Sequence, residues 1–214
     1  MEKVKIFNAS LKEQGFEDRN KVHQEGLWHK TFHCWIVSSV NGGSLLCQLR
    51  SKEKKSYPDM LDISAAGHLI DNEEDVDGIR EISEELGIEI PYSSLYSLGY
   101  RVEADDTENG QKNREYQSVY LAKTDKALCQ FKPQVEEVSG LIWLKIDDAL
   151  KLFDKKISSA NVEGISYNKG TSSWEIVNRD ITVSDFIPRI QNYYLTISIM
   201  ADRLMKNQFP LSIS

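Results

Sequence analysis

The stretch that decides the fold runs from Gly67 to Ile88 and reads GHLIDNEEDVDGIREISEELGI. Its second half predicts an acidic helix that begins after Asn72, as the N-cap, and ends before Gly87, where a helix-terminating glycine belongs. Apolar residues at helical spacing form one stripe along this helix: Val76, Ile79, Ile82 and Leu86. The pattern therefore indicates an amphipathic helix that follows a glycine loop.

Another face of this helix carries carboxylates. Glu81, Glu84 and Glu85 stand at positions i, i+3 and i+4, and residues 73–85 contain seven acidic residues against one base, Arg80. Like charges at this spacing repel by roughly a few tenths of a kcal/mol per pair. A hard cation such as Mg²⁺, which takes a few carboxylates and completes its shell with water and phosphate oxygens, would remove that repulsion. The alternative is a solvated acidic face, which composition alone favours.

The order of residues in this stretch favours the metal site. A glycine, a glutamate and the run REIxEELGI resemble the signature of the Nudix hydrolases. The matching positions are Gly67, Glu73, Arg80, Glu81, Ile82, Glu84, Glu85, Gly87 and Ile88. The segment between Glu73 and Arg80 is one residue shorter than in the family. The resemblance implies a Nudix-type α/β/α sandwich with a mixed sheet, and Mg²⁺ as cofactor with Mn²⁺ as the alternative.

Length and composition bound the rest of the interpretation. The 214 residues suit one domain with an extension. We predict a Nudix domain over residues 1–153, including an N-terminal strand segment, and a loop and C-terminal helix over 154–214 packed on the same domain. The net charge of −7 argues against broad binding to nucleic acids or anionic membranes. Three scattered cysteines and the lack of a signal-like or membrane-spanning apolar run predict a cytoplasmic protein.

Strands and turns are predicted along the whole chain. A strong turn signal at Asn41-Gly42 separates the first two strands of the core. Polar residues 105–113 read as a loop, and Asp147 or Asp148 begins a short helix that reaches Phe153. The predicted strands cover residues 30–40, 44–49, 60–66, 94–103, 115–122 and 138–144.

The C-terminal part is predicted as a loop followed by a helix. Residues 154–182 are polar and contain glycine, so they read as a loop or lid in which Tyr167 and Trp174 are either core residues or platforms for a base. A last helix begins at Ser184 or Asp185 with Pro188 in its first turn. Its apolar stripe, which packs on the same core or at a dimer interface, contains Phe186, Ile190, Tyr193, Ile197, Met200 (or Ala201) and Leu204.

A basic loop precedes the acidic stretch. Residues 50–58 read RSKEKKSYP and carry four cations in an acidic protein. The alternative is an ordinary solvated loop. A diphosphate bound to a metal needs cations opposite that metal, and arginine can bind phosphate oxygens through two hydrogen bonds. We therefore expect Arg50, Lys54 and Lys55 to contact phosphate.

The resemblance extends over roughly residues 20–150 to the branch that includes the isopentenyl-diphosphate isomerases. It is carried by EGLWHKTFHCWIV, LRSKEKKSYPDMLDISAAGH and REYQSVYLA. It implies a divalent-metal site whose ligand positions are held by His23, His29, His68 and Glu115, and His68 is also a candidate contact to the substrate. Asn113 stands where a further glutamate would be, and Ala66 stands where the isomerases have a cysteine that handles protons.

Two differences point to hydrolysis: the methyl group of Ala66 cannot transfer a proton, and the signature glutamates, which the isomerases usually do not keep, are all present. The resemblance then implies that Glu81, Glu84 and Glu85 hold the metal, with Gly67 allowing close backbone approach. The metal lowers the pKa of a bound water, and a helix glutamate or Glu136 or Glu137 accepts its proton. Arg80 orients a ligand by pairing with Glu73 or Glu84. The expected substrate is a nucleoside di- or triphosphate or a similar small diphosphate.

Two rival functions stay open. One is isomerisation of isopentenyl diphosphate, against which Ala66 and Asn113 argue. The other is a non-catalytic module that senses a nucleotide. The intact glutamates argue against the module, and the shortened segment before Arg80 argues for it. The resemblance leaves open whether the protein is a monomer or a homodimer.

Overall fold

The computed structural model describes residues 2–40, 42–106 and 110–213. These residues form one eleven-stranded sheet. Its central strand, β3 (Trp28–Ser38), runs parallel to β8 (Lys112–Lys123) and antiparallel to β4 (Ser44–Arg50) and β6 (Ala65–His68). The sheet is therefore mixed, as the sequence predicts.

The remaining elements extend the sheet on both sides and cover it. From one edge to the other, the main path of the sheet is β11-β10-β9-β4-β3-β1-β2. The other strands are β1 (Lys3–Phe7), β2 (Glu13–Asp18), β5 (Leu61–Asp62), β7 (Tyr96–Asp106), β9 (Val138–Lys145), β10 (Ala160–Asn168) and β11 (Ser173–Ile181). The helices are α1 (Arg19–Glu25), α2 (Arg80–Leu86), α3 (Ile146–Phe153) and α4 (Tyr193–Met205).

Side chains of β3 alternate between two apolar clusters, because successive residues of a strand face opposite sides of the sheet. Trp35 and Val37 lie in a cluster with residues of α3 and α4. Cys34 and Ile36 lie in a second cluster with residues of α2. Helices thus cover both faces of the sheet, and the predicted α/β/α sandwich is confirmed.

The expectation of a loop or lid over residues 154–182 is wrong. Strands β10 and β11 form an antiparallel hairpin in this segment, and β10 continues the main sheet by pairing with β9. The outer positions of β10 are polar and exposed, whereas Val162 and Ile165 are buried. Because only the inner positions are apolar, the segment reads as polar in the sequence. The loop predicted over 105–113 is also shorter, since β7 and β8 extend into it; residues 107–109 lie outside the described part of the chain.

The last helix begins later than predicted. Residues 183–185 form a single 3-10 turn in which Asp185 accepts a hydrogen bond from the Thr182 backbone at 2.7 Å. Pro188 lies outside the helix, and a residue before proline is pushed toward extended backbone. Within α4 the predicted apolar stripe is confirmed, because its residues Tyr193, Ile197, Ala201 and Leu204 are all buried. Ile190, which was also predicted to belong to the stripe, precedes the helix and is exposed.

The C-terminal segment packs on the same core as the rest of the chain. Five buried residues of α4 share one cluster with Trp35 and Leu45 of the central strands. Because this stripe is buried within the chain, it is not available as a dimer interface. The division of domains at residues 153 and 154 stays a prediction, as does the turn at Asn41, which lies outside the described residues. Within the described ranges, no helix has the length and apolar character that a membrane span requires.

We predict that the packing of α4 contributes directly to stability. Replacing Ile197, which is fully buried, with alanine should lower the free energy of unfolding by about 2–4 kcal/mol. Ile199→Ala makes the same change at an exposed position of the same helix and should alter it by less than about 0.5 kcal/mol. Urea unfolding of both variants checks this, and equal losses would contradict the burial of this face.

Candidate active site

The acidic helix is shorter than the sequence predicts, and Asn72 is not its N-cap. The α-helix begins at Arg80 after a 3-10 turn, Asp77–Ile79. Side chains hold the preceding residues in turns: Glu73 accepts from the Ile70 backbone at 2.9 Å, and Asp77 accepts from the Glu74 backbone at 2.9 Å. Such local hydrogen bonds compete with helix formation.

The ends of the predicted apolar stripe behave differently. Val76 is exposed and does not belong to the stripe, whereas Ile82 and Leu86 are buried in the second cluster. At the other end, Gly87 has a φ of 64° and donates its N–H to Ser83, as the sequence predicts for a helix-terminating glycine.

Glycine at position 67 makes room for the Glu81 carboxylate. A Cβ built on Gly67 would lie 2.0 Å from Glu81 Oε1 and 2.5 Å from Oε2. Since any side chain at this position would displace the carboxylate, Gly67 sets the position of Glu81. The expectation that Gly67 lets the backbone approach a metal stays a prediction.

Glu85 is buried in the same place. Its Oε2 accepts hydrogen bonds from the Ala66 backbone N–H at 3.0 Å and from the Gln48 amide at 3.3 Å. Burial, reinforced by the nearby Glu81, raises the pKa of Glu85 to about 8. Burial likewise raises the pKa of Glu81 to about 6, against the lowering effect of Arg80. For both carboxylates, the effect of burial on the pKa outweighs the effect of the neighbouring cations.

This donor set fits a hard divalent cation. Two buried carboxylates whose charged forms are disfavoured supply the oxygen ligands that Mg²⁺ takes, and a cation between them would restore both charges. Glu84 differs from the other two because its side chain is half exposed, although it accepts from Arg80 at 2.9 Å as Glu81 does at 2.7 Å. Glu81 and Glu85 are thus the inner candidates, and Glu84 lies at the rim.

Arg80 donates hydrogen bonds to four residues of the site. Its Nε and Nη2 donate to the two oxygens of Glu73 at 2.6 and 3.0 Å. Its Nη1 donates to Glu81 at 2.7 Å as well as to Glu84, and Nη2 also donates to the His68 carbonyl at 3.0 Å. The two pairings considered for Arg80 both occur. Although the segment between Glu73 and Arg80 is shortened, Arg80 still binds both carboxylate oxygens of Glu73.

The basic loop lies within electrostatic reach of these carboxylates. Lys54 and Arg50 both act to lower the pKa of Glu85. Lys54 forms an ion pair with Glu137, so two residues to which the sequence assigned separate roles contact each other. Arg50 donates to the Ser56 carbonyl and to Asp62, while Lys55 is exposed. The roles of these four residues in binding or proton transfer stay predictions.

Three histidines form a second candidate metal position. One ring nitrogen from each of His23, His29 and His68 lies within 4.8 Å of the other two. His23 Nε2 and His68 Nε2 are 2.9 Å apart, and His29 Nε2 is buried without a hydrogen-bond partner among the described residues. Burial lowers the pKa of all three imidazoles, which favours the neutral form that binds metals.

The surroundings of the histidines match the resemblance in part. Glu115 Oε1 lies 3.9 Å from His29 Nε2, where a fourth ligand could stand. Asn113 instead contacts His23 Nδ1 at 3.2 Å through its side-chain oxygen. The donor set of three imidazoles and a carboxylate fits a divalent transition metal.

Strand β6 connects the two candidate positions. Ala66 donates its backbone N–H to Glu85, Gly67 makes room for Glu81, and the ring of the next residue, His68, joins the histidine cluster. Three consecutive residues thus serve both groups of ligands. His68, expected to contact the substrate, is placed among the histidines.

A cleft of about 550 Å³ opens between the basic loop and the β10–β11 hairpin. Lys52, Lys169 and Tyr167 are among its lining residues. Trp174 faces Tyr167 across the hairpin with ring centroids 5.4 Å apart and also packs against the second apolar cluster. Trp174 is therefore partly a core residue, whereas Tyr167 borders open space.

Sequence reasoning missed several residues around the site. Gln48 contacts Glu85, and a buried ionic network contains Asp62, Arg101, Glu103 and Arg189. Each is a single polar residue in an otherwise ordinary strand or loop. The sequence offers no motif or spacing that would have identified them.

The raised pKa of Glu85 predicts a pH-dependent stability. Between the ordinary value of 4.5 and the folded value of about 8, the folded protein holds a proton that the unfolded chain has lost. The free energy of unfolding should therefore fall as pH rises through this window, by at most about 1.4 kcal/mol per unit. Glu85→Gln removes the ionisable group, so in a chelator its stability relative to wild type should increase from pH 5 to pH 8.

Urea unfolding at several pH values measures this difference. Glu89→Gln, at an exposed position just after the helix, is the matched control and should follow the wild type at every pH. Parallel curves for wild type and Glu85→Gln would show that Glu85 is not buried as described.

The contact between Gly67 and Glu81 predicts a further effect. Gly67→Ala should displace the Glu81 carboxylate and reduce the increase in melting temperature that Mg²⁺ produces. Gly170→Ala is the control, because a Cβ there would meet only the end of the Asn168 side chain, at 3.2 Å. Thermal unfolding with and without Mg²⁺ tests this, and an unchanged increase in Gly67→Ala would contradict the assignment.

Several known proteins are similar in sequence to this chain. No family model matches the chain. The chain is 32% identical over 194 residues to an uncharacterized Nudix hydrolase of Clostridium acetobutylicum, covering 88% of this chain and 91% of that protein. It is 32% identical over 145 residues to an isopentenyl-diphosphate Delta-isomerase of Saccharopolyspora erythraea, covering 67% and 72% of the two proteins.

A solved structure shows the same fold. DR0079 from Deinococcus radiodurans aligns with a TM-score of 0.55 at 20% identity, over 72% of this chain and 89% of that one. The extent and identity of the first alignment establish the family. The chain therefore belongs to the Nudix hydrolases, enzymes that act on phosphoric anhydride bonds, and has isopentenyl-diphosphate isomerases among its relatives.

Proposed function

We propose that this protein is a Mg²⁺-dependent hydrolase that cleaves the diphosphate bond of a small molecule by attack of water. The observation that carries this proposal is the pair of buried carboxylates, Glu81 and Glu85, with Arg50 and Lys54 within electrostatic reach. Anionic ligands on one side and cations on the other suit a metal-bound diphosphate. Mn²⁺ is the alternative metal because it accepts the same oxygen donors.

We assign a role in the proposed hydrolysis to each residue of the site. When bound, the metal neutralises phosphate charge and lowers the pKa of a coordinated water. Glu81 and Glu85 hold it, and Arg80 keeps Glu81 in place through its hydrogen bond at 2.7 Å. Arg50 and Lys54 stabilise the charge that develops on the leaving phosphate.

The proton of the attacking water needs an acceptor. Glu84, half exposed at the rim, and Glu137, which is paired with Lys54, are the two candidates. Each keeps a carboxylate near the proposed metal without being buried among its inner ligands. Glu84→Gln and Glu137→Gln distinguish them, because loss of the acceptor should lower kcat roughly 100-fold and leave Mg²⁺ binding intact.

Isomerisation of isopentenyl diphosphate is the second candidate function, and the histidine cluster favours it. The three ring nitrogens and Glu115 form a position similar to the one implied by the isomerase resemblance. Ala66 argues against it, because its methyl group supplies no proton and only its backbone N–H contacts the site. The histidine cluster is compatible with hydrolysis as a second metal position.

A panel of diphosphates tests the proposal. Nucleoside di- and triphosphates, nucleotide sugars, dinucleotides and isopentenyl diphosphate are incubated with Mg²⁺, and both cleavage of the diphosphate into its products and isomer formation are measured. We expect one compound to be hydrolysed, and Glu85→Gln to lower its turnover by roughly 100-fold or more through loss of a metal ligand. Glu89→Gln, with the same change at an exposed position, should retain full activity.

The other outcomes separate the rival functions. Formation of dimethylallyl diphosphate without release of phosphate would identify an isomerase. Binding of a nucleotide without turnover, with equal affinity in wild type and Glu85→Gln, would identify a sensing module. Either result overturns the hydrolase proposal.

A further inference from the structure

A buried ionic network joins the basic loop to the C-terminal segment. Asp62 on β5 accepts hydrogen bonds from Arg50 Nη1 at 3.3 Å and from Arg189 Nη2 at 2.9 Å. Glu103 on β7 accepts from Arg189 Nη1 at 2.8 Å. Arg189 thus bridges two buried carboxylates that belong to different strands, and it comes from the stretch just before α4.

The network continues to the histidine cluster. Arg101 Nη1 donates to Glu103 at 2.8 Å and to the Gln117 side chain at 2.6 Å. Gln117 in turn donates to Glu115 at 2.8 Å, the carboxylate that lies 3.9 Å from His29. One line of contacts therefore runs from the proposed phosphate-binding loop to the second candidate metal position.

One reading of this network is that it only fastens the C-terminal segment to the sheet. Its composition argues against that reading. Three arginines, Asp62, Glu103 and, through Gln117, Glu115 bring six charged groups together at a largely buried place. The Nε atoms of Arg101 and Arg189 are buried without a hydrogen-bond partner among the described residues. Buried ionic groups that are incompletely paired cost stability relative to apolar residues, so stability alone does not explain them.

The free donors of Arg50 show what the network can do. Of the five N–H groups of a guanidinium, three are engaged here: Nε and Nη2 on the Ser56 carbonyl and Nη1 on Asp62. Two N–H groups remain for phosphate oxygens. Their direction is set by the Ser56 carbonyl and by the Asp62 carboxylate, and the other oxygen of that carboxylate is held by Arg189.

We propose that Arg189 is a positioning residue of the active site, which holds Asp62 so that Arg50 is directed at the diphosphate. This inference rests on the proposed function, since it assigns Arg50 to phosphate. It gives the C-terminal segment, which lies outside the signature and the basic loop, a part in substrate binding.

A double-mutant cycle tests the inference. The dissociation constant of methylenediphosphonate, a non-hydrolysable diphosphate, is measured with Mg²⁺ by calorimetry for wild type, Arg50→Gln, Arg189→Gln and the double variant. We expect each single substitution to weaken binding by about tenfold, and the double variant to be within about twofold of Arg50→Gln, because both remove one interaction. A residue with only a structural role would not show this non-additivity.

Two further variants serve as controls for the double-mutant cycle. Arg189→Lys keeps the charge but not the two-sided bridge, so it should recover part of the lost affinity and serves if Arg189→Gln fails to fold. Lys206→Gln, which breaks an exposed ion pair with Asp202 in the same C-terminal segment, should leave the dissociation constant unchanged. Thermal unfolding of each variant confirms that the folded protein is being measured.

The outcomes separate this inference from the proposed function. If Arg50→Gln weakens binding while both Arg189 variants bind as the wild type does, the positioning role is wrong and the phosphate role of Arg50 stands. Additive losses in the double variant would likewise overturn it, because Arg189 would then act independently of Arg50. If Arg50→Gln itself has no effect, the assignment of Arg50 to phosphate fails.

Discussion

The close approach of the Glu81 carboxylate to Gly67 is the constraint on which the site depends. A Cβ at position 67 would lie 2.0 Å from Glu81 Oε1, and both Glu81 and Glu85 are buried beside this strand. Burial raises the pKa of each carboxyl, since water no longer stabilises its charge. The fold thus carries a cost in stability, which a divalent cation would offset.

Arg80 limits that cost in stability and connects the acidic cluster to strand β6. Its guanidinium contacts Glu73, Glu81, Glu84 and the His68 carbonyl, so a single side chain orients the acidic cluster and the strand that bears a candidate histidine ligand. The ionic network around Arg189 has the same character on the other side of the basic loop. In both places, arginine side chains join carboxylates that belong to different elements of the fold.

Much of the fold could be predicted because its signals are local. The alternating, β-branched and aromatic run of β3, the signature of α2 and the terminal glycine at position 87 each depend on a few neighbouring residues. The errors arose where distant contacts decided the outcome. Residues 160–181 are largely polar in sequence, yet they form strands because β10 pairs with both β11 and β9. Because side-chain hydrogen bonds of Glu73 and Asp77 hold the preceding residues in turns, the acidic helix begins later in the sequence than predicted.

The sequence by itself determined the family, the carboxylate cluster and the basic loop, because a motif specifies residue types at set spacings along one element. Only the tertiary structure decided which carboxylates are buried, that Lys54 pairs with Glu137, and that His29 Nε2 is buried without a hydrogen-bond partner among the described residues. It also brought Arg189 next to Asp62, 127 residues away in the chain. Such pairs are set by how strands and helices pack, and packing leaves no periodic trace in the sequence.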